Sequence, residues 1–257
     1  MFGLPAAAEP TVLIVFVAAL ITALATGLGA LPLALAQGRA GNRWLGLGNA
    51  LAAGLMLAAS HFLIAEGFGF SPVRTLAGML AGVALILLAN HWLHRQGDHS
   101  IAQLHGADAG RALLVVGIMT AHSAAEGVGV GVSFGGGNAL GEYITLAIAL
   151  HNVPEGLAIA LVMVPRGAKV WQAAGWAIFS SLPQPLLAVP AFLFVVYFTP
   201  WLPVGLGLAA GAMLWMVFSE LLPEAQGALK ESVGNAGMGA VVVLSFSAML
   251  GLTLLLG

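Results

Sequence analysis

The sequence predicts an all-α polytopic membrane protein, a bundle of eight transmembrane helices with both termini extracytoplasmic. Three observations lead there. Of 257 residues, 60% are hydrophobic and 7% charged, against about 25% charged in an average soluble domain. Apolar runs repeatedly reach about twenty residues, the length that crosses a bilayer. The Lys and Arg residues fall almost entirely in alternate joints, as cytoplasmic loops do. So few charges could not cover a soluble surface. The composition therefore excludes a cytosolic enzyme, a nucleic-acid binder and a disordered chain.

The first span, Thr11–Ala36, has no Lys or Arg ahead of it. It is also too long for the apolar core of a cleaved signal, so it is read as a retained helix. Trp44–Glu66, Val73–His94, Arg111–Phe134, Glu142–Val164, Val170–Phe198, Pro203–Glu224 and Val233–Leu256 follow as spans two to eight. Their apolar runs are continuous rather than alternating, which excludes barrel strands. Gly, Pro or polar residues mark the joints Gln37–Arg43, Gly67–Pro72, Gly135–Gly141, Pro165–Lys169 and Thr199–Leu202. The longest joint, Arg95–Gly110, is expected to be a cytoplasmic loop. No linker divides the chain, so residues 1–257 read as one transmembrane domain.

The charges orient the bundle. With the N-terminus outside, Arg39, Arg43, Arg95, Arg111, Arg166, Lys169 and Lys230 lie inside, and only Arg74 lies outside. A miscount by one span would divide those seven between the two faces, against the positive-inside rule.

The spans carry acids and imidazoles but no deep Lys or Arg: His61, Glu66, His122, Glu126, His151, Glu155, Glu220 and Glu224. A carboxylate in hydrocarbon is costly unless it is protonated, solvated or bound to a cation. A chain that buries acids with imidazoles and without bases is built for cations. Two segments concentrate the signal: His122-Ser-Ala-Ala-Glu126-Gly127 and His151-Asn-Val-Pro-Glu155-Gly156, both His-x-x-x-Glu-Gly. A spacing of four puts imidazole and carboxylate on one helix face, a turn apart. Two such helices facing each other offer two nitrogens and up to four oxygens. That set suits Zn²⁺ and other divalent first-row ions. It is too rich in nitrogen for Ca²⁺ or Mg²⁺. There is no Cys, hence no thiolate site. Pro154 cannot bond the carbonyl of Leu150, an interruption tolerated where backbone lines a cavity or a binding site.

Other residues leave two readings open. Gln184, between Pro183 and Pro185, is either a satisfied amide in a kinked helix or a ligand. Glu220 and Glu224, around Pro223, form either an exit relay or a solvated helix end. His61 and Glu66 could line an entrance, although a spacing of five puts them poorly on one face. Met56 is more commonly core packing than a thioether ligand. His91, His94, His99 and His105 lie in or beside the loop, where weak metal capture competes with plain solvation.

At the two motifs the sequence resembles the ZIP family of zinc and iron permeases. The likeness extends over most of the chain, including Ala52-Ala-Gly-Leu-Met56 in span two and Ala209-Ala-Gly-Ala-Met with Glu220-Leu-Leu-Pro-Glu224 in span seven. The resemblance implies divalent-metal uptake toward the cytoplasm, with His122, Glu126, His151 and Glu155 as the primary site and Met56 as an auxiliary ligand. It further implies a homodimer and an elevator-like motion of spans one, four, five and six against two, three, seven and eight. Some members hold a second metal through Asn, Asp and Glu. The matching positions here are Ser123, Asn152 and Gln184, all neutral, so the second site is expected to be weak or absent. Ala125 stands where many members have Pro. Zn²⁺ is then substrate rather than cofactor, with iron, manganese, cobalt and cadmium as further candidates. The partners are the ion, the lipid bilayer and a second copy of the chain, with no nucleic acid. The compact chain suggests a bacterial inner membrane. An intramembrane zinc hydrolase is the competing reading, but neither His-Glu-x-x-His nor Gly-x-Ser-x-Gly occurs. A haem carrier is disfavoured by the acid one turn from each His.

Overall fold

The computed structural model describes residues 10–35, 42–93 and 107–256. Among these, the regular elements are all helical. They are α1 (Val12–Leu28), α2 (Leu31–Leu35), α3 (Asn42–Phe70), α4 (Pro72–Leu93), α5 (Ala107–Gly135), α6 (Asn138–Met163), α7 (Val170–Ser181), α8 (Pro183–Tyr197), α9 (Leu202–Met216), α10 (Leu222–Leu229) and α11 (Gly234–Leu256). Eight helical stretches are long and apolar enough to cross a membrane. Three of them are composite: α1 with α2, α7 with α8, and α9 with α10.

The helix ends follow local chemistry. Thr11 opens α1, its hydroxyl accepting the backbone N–H of Ile14, which satisfies a donor the helix itself cannot. Gly137 has φ +121° and Gly167 φ +105°, conformations glycine adopts cheaply. They mark the turns after α5 and α6. The joints are tighter than expected. Helix α3 runs past Glu66 to Phe70, so only Ser71 separates it from α4. Helix α5 begins at Ala107, which makes residues 107–110 helix rather than loop. The remainder of the expected loop, 95–106, lies outside the described residues, together with His94, His99 and His105.

The breaks lie at prolines. Pro183 and Pro185 supply no N–H, and the N–H of Leu182 bonds back to Phe179 O at 3.2 Å. The helix therefore tightens and restarts there. Pro223 likewise cannot bond the carbonyl of Ser219. The ladder shifts register, Leu222 N–H reaches Val217 O, and Val217–Leu221 becomes a π-turn. Helix α6 continues through Pro154.

The helices form two groups, α1, α5, α6, α7 and α8 in one and α3, α4, α9, α10 and α11 in the other. They meet chiefly where α3 faces α6 and α5 faces α9. Glycines mark the closest helix contacts. Within groups many admit backbone, although Gly27, Gly46 and Gly135 meet side chains. A Cβ on Gly78 or Gly82 of α4 would overlap the carbonyls of Val204 or Leu208 on α9, and Gly207 and Gly211 stand the same way against Thr75 and Met79. Gly131 meets Ala188 O of α8, Gly156 meets Thr26 O of α1, and Gly54 meets Val242 O of α11. Such contacts lock helices at the shortest distance apart. Between groups the glycines meet side-chain atoms. Gly129 faces Ala209 Cβ at 2.9 Å, Gly205 faces Val132 Cγ2 at 2.7 Å and Gly48 faces Leu157 Cδ2 at 3.4 Å.

One continuous apolar core, with Met56, Leu63, Ile144, Ile148, Leu206 and Met213 fully buried, runs between the groups. Leu13, Leu80, Leu88, Leu186 and Leu244 stand exposed on the outside, where an integral membrane protein meets lipid. Among the described spans, that of α6 is the most enclosed and that of α11 the least. The site signatures thus lie in the interior. Arg43 and Lys230 line one shallow surface hollow. Arg74 donates to Pro200 O at 3.1 Å, near the start of α4.

Candidate metal centre

Helices α5 and α6 run side by side, and each turns its His-x-x-x-Glu face to the other. His122 Nε2 lies 3.1 Å from Glu126 Oε1 and 3.2 Å from Glu155 Oε1. His151 Nε2 contacts the same Glu126 Oε1. One ligand atom from each of the four residues falls within 4.8 Å of the others, and all four residues are buried. Glu126 Oε1 is therefore the point where both imidazoles converge.

The donor set fits a cation. His151 Nδ1 lies 3.1 Å from Ala147 O. A carbonyl only accepts, so Nδ1 carries the proton and Nε2 is the nitrogen available to an ion. His122 Nδ1 and Nε2 and Glu155 Oε1 are buried without a formed hydrogen bond. Buried polar atoms are normally satisfied; His122 Nε2 and Glu155 Oε1 face each other at 3.2 Å without hydrogen-bond geometry, a pair of donors that an ion between them would engage. The donors are imidazole and carboxylate, a set suited to Zn²⁺ and its first-row neighbours.

The glycine after each glutamate explains how the surroundings close. A Cβ on Gly127 would sit 2.6 Å from Gln184 O and 2.7 Å from Gln184 Cα. Glycine there lets the backbone of α8 approach, and Gln184 Nε2 then donates to Glu126 Oε2 at 2.6 Å. Gly156 does the same for α1, bringing Thr26 O against α6. The final position of His-x-x-x-Glu-Gly is thus a packing position, and at Gly127 it also brings Gln184 to Glu126.

Beside the cluster lies a neutral network. Gln184 Oε1 accepts from Asn152 Nδ2 at 3.2 Å and contacts the Thr22 hydroxyl, which also lies 2.7 Å from Ala19 O. Asn152 Nδ2 donates to Thr22 O at 2.8 Å as well. The Thr26 and Ser181 hydroxyls are 2.8 Å apart, and Ser123 Oγ is 3.4 Å from Ser181 Oγ. The positions expected to form a weak or absent second site, Ser123, Asn152 and Gln184, therefore adjoin the four-residue cluster; all three bond to neutral groups, and Gln184 bonds to Glu126 as well. Gln184 lies at a kink with both ends of its amide bonded, Nε2 to Glu126 and Oε1 to Asn152.

Sequence reasoning missed Thr22, Thr26 and Ser181. The signal was present as Thr22-x-x-x-Thr26, one polar stripe in an apolar run. The remaining candidates lie apart. Met56 is fully buried in the main apolar core. His61 is exposed and Glu66 half-buried; the His61 ring meets Phe62 edge-on, centroids 5.6 Å apart. His91 is exposed. Glu220 sits half-buried in the π-turn, while Glu224 is exposed and accepts from the buried Asn49 Nδ2 at 2.9 Å. None of these His or Glu residues joins the cluster.

Comparison with known proteins follows the same direction. No protein-family model matches the sequence. A putative zinc transporter of Arabidopsis thaliana is 48% identical over 209 residues, covering 80% of this chain and 33% of that protein. The zinc transporter GufA of Myxococcus xanthus is 33% identical over 251 residues, 91% of this chain and 98% of GufA. The zinc transporter ZIPB of Bordetella bronchiseptica is 32% identical over 209 residues, 74% of this chain and 65% of ZIPB. The chain thus spans a third of the plant relative's length and nearly all of GufA's.

Proposed function

The chain belongs to the ZIP family of metal transporters, and on that premise we propose that it carries a divalent transition metal, zinc first, toward the cytoplasm through a site made by His122, Glu126, His151 and Glu155. The family is one of transporters and not of enzymes, which sets the hydrolase reading aside. One observation carries the proposal: four buried donors from two helices converge within 4.8 Å. Two neutral imidazoles and two carboxylates balance a divalent ion. Iron, manganese, cobalt and cadmium fit the same chemistry. Binding requires deprotonated ligands, so loading displaces protons.

The motion is an elevator-like sliding of the α1, α5–α8 group against the α3, α4, α9–α11 group. The glycine contacts support it. The backbone-to-backbone contacts fall within the groups, whereas between them glycines such as Gly129, Gly205 and Gly48 meet side chains beside an apolar core. Residues 1–257 then act as one transmembrane domain, with the start of α5 on the cytoplasmic side. Both ends lie outside, and the chain works as a homodimer in a bacterial inner membrane.

The test is Zn²⁺ uptake into proteoliposomes by the native chain, His151→Ala and Glu155→Ala. Saturable uptake lost in both variants is expected. Uptake unchanged in both would refute the site. No uptake by a folded native protein that binds zinc would refute simple facilitated transport.

A further inference from the structure

We propose that Gln184 is a positioning residue that sets metal preference by holding Glu126 to a single ligating oxygen. This rests on the reading of His122, Glu126, His151 and Glu155 as the transport site. Gln184 is fully buried, and both ends of its amide are engaged. Nε2 donates to Glu126 Oε2 at 2.6 Å. Oε1 accepts from Asn152 Nδ2 at 3.2 Å and meets the Thr22 hydroxyl. Chemistry fixes the amide's orientation. A carboxylate only accepts, so it takes the NH₂; the Asn152 amide and the Thr22 hydroxyl can donate, so they take the oxygen. A flipped amide would set oxygen against carboxylate oxygen.

The two oxygens of Glu126 are thereby given different tasks. Oε1 meets both imidazoles, and Oε2 is held by Gln184. A short N–H bond to a carboxylate is charge-assisted, and a dry interior strengthens it. It fixes the carboxylate plane and disfavours chelation of one ion by both oxygens. The ion then meets two imidazole nitrogens, one oxygen of Glu126 and the Glu155 carboxylate. A small mixed set suits Zn²⁺, which is usually tetrahedral. Mn²⁺ favours six oxygen-rich positions. With the amide removed, Glu126 can turn and offer its second oxygen, and the preference moves toward the ion that wants more oxygens.

The test uses the full chain in detergent with Co²⁺ as the probe, because four-coordinate Co²⁺ absorbs visible light far more strongly than six-coordinate Co²⁺. Native protein is compared with Gln184→Ala and with Gln184→Leu, which keeps most of the volume. Competition against Zn²⁺ and Mn²⁺ follows. The native chain should show the intense bands. In both variants the bands should weaken, and the Zn²⁺-over-Mn²⁺ affinity ratio should fall on the order of tenfold, as for other groups that orient a metal ligand. Should Gln184→Ala not fold, Gln184→Leu and Thr22→Val read the same bands, the latter with a smaller change. Equal bands and an unchanged ratio in the folded variants would overturn the proposal while leaving the transport site standing. So would weak, six-coordinate bands in the native chain. A native chain that binds neither Co²⁺ nor Zn²⁺ would overturn the transport site itself.

Discussion

Replacing Glu126 by Gln should weaken zinc binding far more than the loss of one oxygen suggests. Gln keeps the volume and removes the charge. In the structure that charge lies where both imidazoles converge, and Gln184 already occupies the other oxygen. The new amide would keep its oxygen toward the Gln184 NH₂, since that oxygen can still accept. Its own NH₂ would then face His122 and His151, where a ligand is needed. A divalent ion held by Glu155 alone would leave one net positive charge in the bilayer. A charge at the centre of a transmembrane helix costs about 2.5–3.5 kcal/mol on insertion scales. At roughly 1.4 kcal/mol per tenfold, that is about a 60- to 300-fold rise in Kd. The assay is competition for Zn²⁺ against a coloured chelator with the purified chain in detergent. Glu231→Gln, at an exposed site beyond α10, is the control and should leave the Kd unchanged. A Glu126→Gln loss under about fivefold would mean that carboxylate does not neutralise the ion, and the charge argument would fail.

Three further outcomes follow from the packing and the charges. Gly131→Ala and Gly156→Ala place a Cβ into a neighbouring backbone carbonyl and should each destabilise the chain by about 1–3 kcal/mol. Gly175→Ala, with nothing within 4 Å, should not; unfolding in graded denaturing detergent compares them, and equal stability of all three would refute the packing argument. The chain has no Cys, so a Gly129→Cys/Ala209→Cys pair can be oxidised selectively across the group boundary. Cross-linked protein should bind zinc but not carry it until reduced; full uptake while cross-linked would exclude sliding there. In intact cells, Arg74→Cys should react with an impermeant thiol reagent and Lys230→Cys should not, and the reverse pattern would invert the orientation.

The spans were legible because a bilayer demands length and apolarity before anything else, and both are written in composition. The cluster was legible for a related reason. Imidazole and acid are so costly in hydrocarbon that two copies of His-x-x-x-Glu stand out against Leu and Ala. What escaped was polar but cheap. Thr22, Thr26 and Ser181 carry hydroxyls that can bond carbonyls within their own helices, and Thr22 Oγ1 lies within reach of Ala19 O. A single sequence therefore gives no reason to link them across 155 residues, as Thr26 and Ser181 are linked. The register shift at Val217–Leu221 was foreshadowed by Pro223 but not determined by it, because a proline can kink, break or widen a helix. The joints were misjudged where glycine suggested a loop. Gly67 and Gly69 stay helical in α3, since neighbouring helices, not propensity, hold a transmembrane helix together.

The neutral character of Ser123, Asn152 and Gln184 bears on transport itself. With a divalent ion, two carboxylates and two neutral imidazoles, the loaded site carries no net charge, and it can cross an apolar boundary at little electrostatic cost. A third carboxylate at any of those positions would leave the site singly negative when one ion is bound. At about 2.5–3.5 kcal/mol per charge in the bilayer, such a carrier would slow by two orders of magnitude or would need a second cation to move. The same charge would hold the ion more tightly, and an ion must be able to leave. Hydroxyls and amides avoid both problems. They orient Glu126 and satisfy one another, yet add nothing to the charge that has to travel. The empty site is the costly state, with two buried acids and no ion, and protons are the small cations available to neutralise it. If the four-residue cluster is the transport site, proton uptake should accompany its empty return, and zinc transport independent of pH would count against that.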